Sequence, residues 1–202
     1  MTEQEDVQQV PEPTVESAAA VPEPKRSPAA SVTELVETLI VALVAAVLLL
    51  TLVCRTGIVQ GPSMQTTMFE GDRYLISDLF FFPKQGDIVV FRSPLPGETE
   101  ELWIKRVIAT EGQTVYINAE DGKVYVDGQA LEETYLNGMV TTPRTGENPV
   151  TVPENCVFVM GDNRGNSKDS RYAEVGCIDT RRIMGKVIFR FWPLDKIGFV
   201  KH

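Results

Sequence analysis

The sequence predicts an all-β fold: a mostly antiparallel sheet domain with a smaller β insertion, preceded by one transmembrane helix. Three observations carry that prediction. From residue 56 onward, short β-branched and aromatic runs alternate with turn residues, and no helical periodicity of useful length interrupts them. An Asp121-Gly122 pair separates Val115-Tyr116-Ile117 from Val124-Tyr125-Val126, the pattern of a tight hairpin. Ahead of these strands lies an uncharged run of seventeen residues, Thr38 to Cys54.

In chain order, residues 1–31 come first, with six acidic residues, two basic ones (Lys25, Arg26) and five prolines. They hold no aromatic residue, so the segment buries too little surface to offset its ordering entropy and is predicted to be a disordered tail. A recognition peptide is the alternative, although Pro-rich tails are commonly plain linkers. The apolar run then predicts a transmembrane anchor over 32–55. Counting Leu35, Val36 and Glu37 as its first turn makes twenty residues, which at about 1.5 Å each matches a bilayer core of about 30 Å. Ser31 and Glu34 have the spacing of a capping box, and Gly57 stands just beyond as a stop signal. A cleaved signal peptide does not fit: the region before the run is long and acidic, and no small-x-small site follows it. Lys25 and Arg26 before the span, against Arg55 after it, point to a cytoplasmic N-terminus.

Residues 56–202 form the predicted β-domain, with an inserted subdomain at roughly 113–155. The strand candidates are 87–92, 102–108, 114–118, 123–126, 157–160 and 186–191, separated by Gly86, Pro94-Leu95-Pro96-Gly97, Asp121-Gly122, Asp127-Gly128 and Pro153. Phe80-Phe81-Phe82 is read as core, with a membrane-interface role as the alternative. Cys156 and Cys177 flank a polar loop. An exported domain permits a disulfide between them, but without a dense framework free buried thiols are expected.

Composition excludes several functions. Only one histidine is present, His202, so neither a His-dependent hydrolase nor a His-rich metal site is available, and a general base must be sought elsewhere. A net charge of 19 − 28 = −9 argues against binding nucleic acid. Ser63 lies in a turn entered through Gly61-Pro62, which suits a presented nucleophile but also describes most idle turn serines. Lys105 and Arg106 sit within the apolar strand Leu102–Ile108, where alternation puts Trp103, Lys105 and Val107 on one face and Ile104, Arg106 and Ile108 on the other. Lys105 is then either an edge lysine snorkelling to water or a desolvated base. The polar run Gly161–Arg171 follows an apolar strand. It is no calcium loop, since counting from Asp162 puts Ser167 at position 6 and Ala173 at position 12. Asp169 and Arg171 are placed for a fixed ion pair.

Taken together, these segments resemble the type I signal peptidases, membrane-anchored serine proteases that remove signal peptides from exported preproteins. The family's motifs occur in order: Ser63-Met64 soon after the anchor, Gly86 to Phe91 as Gly-Asp-x-Val-Val-Phe, Lys105 to Ile108 as Lys-Arg-Val-Ile, and Gly161 to Arg171 as Gly-Asp-Asn-x-x-Asn-Ser-x-Asp-Ser-Arg. The resemblance runs from about residue 35 onward. It implies Ser63 as nucleophile and Lys105 as general base, a dyad that needs no imidazole. Ser167 would hydrogen-bond and orient the lysine, Asp169 and Arg171 would form a supporting ion pair, and Gly161 would admit the loop backbone close to the site. Arg106, on the other strand face, is not expected to pair with that site.

The resemblance also implies preprotein signal peptides and the lipid bilayer as partners, with no nucleic acid, metal or small-molecule cofactor. It places the protein in the cell membrane as a single-pass protein whose catalytic domain lies on the outer side. The substrate would bind extended, by strand addition, with small residues one and three before the cut entering shallow pockets. Three departures from the family pattern stand out. Thr66 replaces the usual proline after Ser63-Met64, and Gly61 replaces a hydroxyl residue that helps bind the oxyanion in some members. Ala109-Thr110-Glu111-Gly112-Gln113 matches the family's Gly-x-Pro-Gly-Asp turn only at Gly112.

Overall fold

A computed structural model describes residues 28–79, 81–97 and 100–200. The expected disordered tail lies, as far as residue 27, outside the described residues, as do Phe80 and His202. Two compact units divide the chain at Val44 and Ala45. The first is described only as the opening part of α1, Pro28–Val53, a helix of 26 residues. The described α1 side chains run from Val32 to Leu48, and consecutive apolar ones such as Ile40, Val41, Leu43 and Val44 are exposed. Among the described residues, no helix is long and apolar enough to cross a membrane.

The helix ends two residues earlier than the sequence suggested. Cys54 and Arg55 open β1, Cys54–Ile58, and pair with Ser77 and Ile76 of β2, Arg73–Ser77. Gly57 is therefore no helix stop. It sits inside β1 because a Cβ there would come within 2.5 Å of the Tyr74 ring. Next come β3, Ile88–Arg92, and β4, Leu102–Thr110. A second group follows: β5 (Thr114–Ile117), β6 (Val124–Val126), β7 (Gln129–Ala130) and β8 (Val150–Thr151). The chain then returns with β9, Cys156–Met160, and β10, Ile178–Asp179, and ends with β11, Ile183–Trp192, and β12, Gly198–Phe199.

These strands make two antiparallel sheets. The larger runs β1-β2-β11-β3-β4-β9-β10, with β12 added on β11; the smaller runs β7-β6-β5-β8. The expected hairpin is the β5–β6 pair, with Val115 opposite Val126. Six of the strands, β1, β2, β7, β8, β10 and β12, had no counterpart among the sequence candidates. They are short or, like Arg73–Ser77, mix charged and apolar residues.

The core shows why β3 reads as an unbroken apolar run. It is central, so Ile88 and Val90 pack into one cluster with Met64, Met68 and Ile104, while Val89 and Phe91 face a second cluster with Val107 and Val159. A third cluster, with Ile108, Phe158, Val115 and Val124, joins the far end of β4 to the small sheet. The Phe80-Phe81-Phe82 run is divided: Phe81 packs on the second cluster, whereas Phe82 is exposed.

Candidate active site

The site forms where β4 and β9 part. Their ladder begins at Arg106 opposite Met160. One residue before Arg106 is Lys105, and one residue after Met160 is Gly161, so register alone brings the Lys-Arg-Val-Ile and Gly-Asp-Asn motifs side by side. Among the described residues β4 pairs upstream of this point only with β3, leaving the other edge of Leu102–Lys105 open.

Ser63 reaches this place on a compact turn. Its wall is built by Gln65 N–H donating to Pro62, and by Thr67 and Met68 both donating to the Met64 carbonyl, at 3.1, 2.9 and 2.9 Å. Met64 and Met68 are fully buried, which pins the turn to the core. Gly61, at φ +77°, supplies the left-handed step into it. The Asn163 side of the loop holds the backbone: Asn163 N–H donates to the Ser63 carbonyl at 3.0 Å, and its side-chain amide donates to Pro62 at 3.1 Å. At Gly161 a Cβ would lie 2.4 Å from the Ser63 carbonyl oxygen and 2.3 Å from Ser167 Oγ, so no side chain fits where these segments meet.

Lys105 Nζ lies 2.8 Å from Ser63 Oγ and 3.0 Å from the Ile104 carbonyl. The lysine is only 5% exposed. Burial pushes its pKa from 10.5 down to about 8, while the charges of Asp169 and Asp162 oppose that fall without reversing it. The buried position sets aside the edge lysine snorkelling to water: Lys105 is desolvated. The Ser63 backbone N–H donates to no described residue.

The supporting ion pair is present and bidentate. Arg171 Nε and Nη2 each donate to the Asp169 carboxylate at 2.8 Å, and both side chains are fully buried. Burial alone would raise the Asp169 pKa, but the Arg171 hydrogen bonds and charge, with the Gly161 N–H at 3.1 Å, hold it below the usual carboxylate range. The lysine–Ser167 bond implied by the resemblance is absent. Ser167 Oγ is buried and meets the geometry of a hydrogen bond with no described residue, although it sits near enough to Asp169 to help lower that carboxyl. Lys105 is instead oriented by Ser63 and its own neighbour's carbonyl.

Several residues around the site had drawn no role from the sequence. Arg106, buried on the opposite face of β4, donates twice to Asp162 at 2.8 Å, and Asp162 also accepts from Thr67 at 2.5 Å. Arg164 is ion-paired to Glu133 and donates from Nε to the Gly161 carbonyl at 3.1 Å. The signal was there in part: a second cation on an apolar strand demands a buried acid, and Asp162 stood unassigned in the loop motif. Cys156 and Cys177 are both free and partly buried.

A cleft of about 880 Å³ opens over Ser63 and Lys105, bordered by Thr56–Ile58 of β1, Leu102–Ile104 of β4, Tyr74 and Phe191. A groove of about 630 Å³ around Phe82, Cys156 and Arg181 holds neither residue. Among the described residues no cluster of His, Cys, Asp or Glu is arranged to hold a metal ion.

Residues 32–192 match the family described as "Signal peptidase, peptidase S26". The chain is 39% identical over 183 residues to a probable signal peptidase I-1 of Synechocystis, covering 87% of this chain and 90% of that one. It is 34% identical over 178 residues to signal peptidase I of Bacillus licheniformis, covering 83% and 92%. A solved signal peptidase I from Enterococcus faecalis aligns at 30% identity with a TM-score of 0.42, over 52% of this chain and 97% of that one.

Proposed function

The chain belongs to the signal peptidase family, peptidase S26, and from that premise we propose a membrane-bound serine endopeptidase that cleaves N-terminal signal peptides from exported preproteins with a Ser63–Lys105 dyad. One observation carries the dyad: a buried lysine with a pKa lowered to about 8, its amine 2.8 Å from a serine hydroxyl in a cleft.

With Lys105 neutral, its lone pair accepts the Ser63 proton as Oγ attacks the scissile carbonyl carbon. The free Ser63 N–H stabilises the charge that gathers on the carbonyl oxygen. The lysine then gives its proton to the departing amine, leaving an acyl ester on Ser63. Water attacks that ester while Lys105 takes the water's proton, and returning it to Ser63 Oγ releases the new carboxyl end. Asp169 and Arg171 keep the Gly161 loop in place, Gly161 allows its close approach, and Ser167 fills the space beside it. No step calls on a cofactor.

The substrate lies extended between two open strand edges that border the cleft, β1 at Thr56–Ile58 and β4 at Leu102–Lys105. Main-chain pairing to such edges supplies affinity, and alternate side chains point into the cleft. The anchor is the apolar helix up to Val53, with the N-terminus cytoplasmic and the β-domain outside.

The test uses full-length protein in detergent with a preprotein carrying a small-x-small site, beside Ser63→Ala and Lys105→Ala. Both variants should lose cleavage by at least about 10³-fold; wild-type rates from either would sink the dyad. Deleting 1–53 should release the protein from membranes, and full retention would remove the anchor from the proposal.

A further inference from the structure

We propose that the small sheet's connecting segment positions the nucleophile, with Thr66 as the residue that transmits its hold to Ser63. The proposal rests on the reading of Ser63 as nucleophile. Thr66 Oγ1 donates to the main-chain carbonyl of Tyr135, sixty-nine residues away on the 3₁₀ turn Thr134–Leu136. Tyr135 is itself fixed. Its ring lies over the Arg106 guanidinium at 3.9 Å, and its hydroxyl donates to Glu133 at 2.7 Å.

Both contacts lead back to the site by separate routes. Arg106 holds Asp162, which accepts from Thr67. Glu133 pairs with Arg164, which bonds the Gly161 carbonyl, and Gly161 packs against the Ser63 carbonyl. Thr66 and Thr67, three and four residues past Ser63, are thus tied to one buried network from two directions.

Upstream of Ser63 the hold is on the main chain, where the Asn163 amide donates to the Pro62 carbonyl at 3.1 Å. A Cβ at Gly61 would find nothing within 4 Å, so the approach to Pro62-Ser63 is open toward the cleft. The Oγ–Nζ separation of 2.8 Å thus draws on Asn163 at the Pro62 and Ser63 carbonyls and on the downstream side, where Met64 and Met68 fix depth and the two threonine hydroxyls fix rotation. A reacting atom displaced by about 1 Å can cost 10²-fold in rate, so a single hydroxyl at this position has leverage on kcat.

The full-length protein in detergent, with the same preprotein, distinguishes positioning from a merely structural tie. Thr66→Val keeps the shape and removes the donor; Thr66→Ser keeps the donor. Thr66→Val should lower kcat about fivefold to tenfold, the scale of one lost hydrogen bond, with KM within about twofold. Thr66→Ser should return kcat to within about twofold of wild type. Melting temperatures confirm folding, and Thr66→Ala replaces the valine variant if that one does not fold. A kcat unchanged in the variant without the hydroxyl, or a loss that serine fails to restore, overturns the positioning role. Cleavage by Ser63→Ala at the wild-type rate is a different result, because it overturns the nucleophile itself.

Discussion

Lys105 and Arg106 are neighbours on β4, both cationic and both buried, yet they point to opposite faces and meet opposite surroundings. Arg106 finds a carboxylate: two bonds to Asp162, a third to the Gly86 carbonyl at 2.8 Å, and the Tyr135 ring stacked above. Lys105 finds only neutral oxygens, Ser63 Oγ and the Ile104 carbonyl. Burial opposes the charged form of the lysine. The arginine has a bidentate counter-ion in Asp162. Without such a partner the lysine gives up its proton near pH 8. Two cations one residue apart thus differ in kind: one is locked in a buried ion pair, the other is readily neutral beside a serine hydroxyl.

Exchanging the two kinds of cation tests this contrast most severely. Lys105→Arg keeps the charge but cannot lose it, so cleavage should fall as far as in Lys105→Ala, at least about 10³-fold. Initial-rate assays on a preprotein check this, and substantial activity in the arginine variant would break the contrast. On the other face, Arg106→Ala strands the Asp162 carboxylate in the core and should cost about 3–5 kcal/mol of stability. Denaturant unfolding measures it; a loss below about 1 kcal/mol would mean the pair holds nothing.

A smaller effect belongs to pH. In the proposed dyad only neutral Lys105 accepts the serine proton, so kcat/KM should fall about tenfold for each pH unit below about 8 and level off above it. A profile flat from pH 6 to 9 would remove the lysine as base. The same titration reaches stability with a definite sign. The folded pKa, about 8, lies below the unfolded 10.5, so between those values the unfolded chain binds the extra proton and stability rises with pH. The slope contributed by this one group is at most about 1.4 kcal/mol per pH unit. Comparing wild type with Lys105→Met isolates it: the methionine variant should be the more stable below pH 8, and the gap should close toward pH 10.5.

Much of the fold was readable wherever the cause is local. β3, β4, β9 and the β5–β6 hairpin follow from β-branched runs and the Asp121-Gly122 turn, each a pattern within a few residues. The polar loop, its Asp169–Arg171 pair two residues apart, and the need for a base other than histidine were equally legible. The short strands were not. β1 exists because β2 pairs with it, and nothing within Cys54-Arg55-Thr56-Gly57-Ile58 outweighs the apolar helix running into it.

The chain read alone supplies the parts: strands at period two, one serine on a turn, two cations on an apolar strand, and motifs in the order of a known family. How those parts are paired follows from contacts distant in sequence. Ser63 meets Lys105 across 42 residues, Arg106 meets Asp162 across 56, and Arg164 meets Glu133 across 31. The fold also left Ser167 without the lysine that its motif suggested. Such pairings depend on where the β4–β9 ladder ends and which side chains lose water there. A local pattern specifies which residues are present, whereas desolvation and the partner across the gap determine the work each one does.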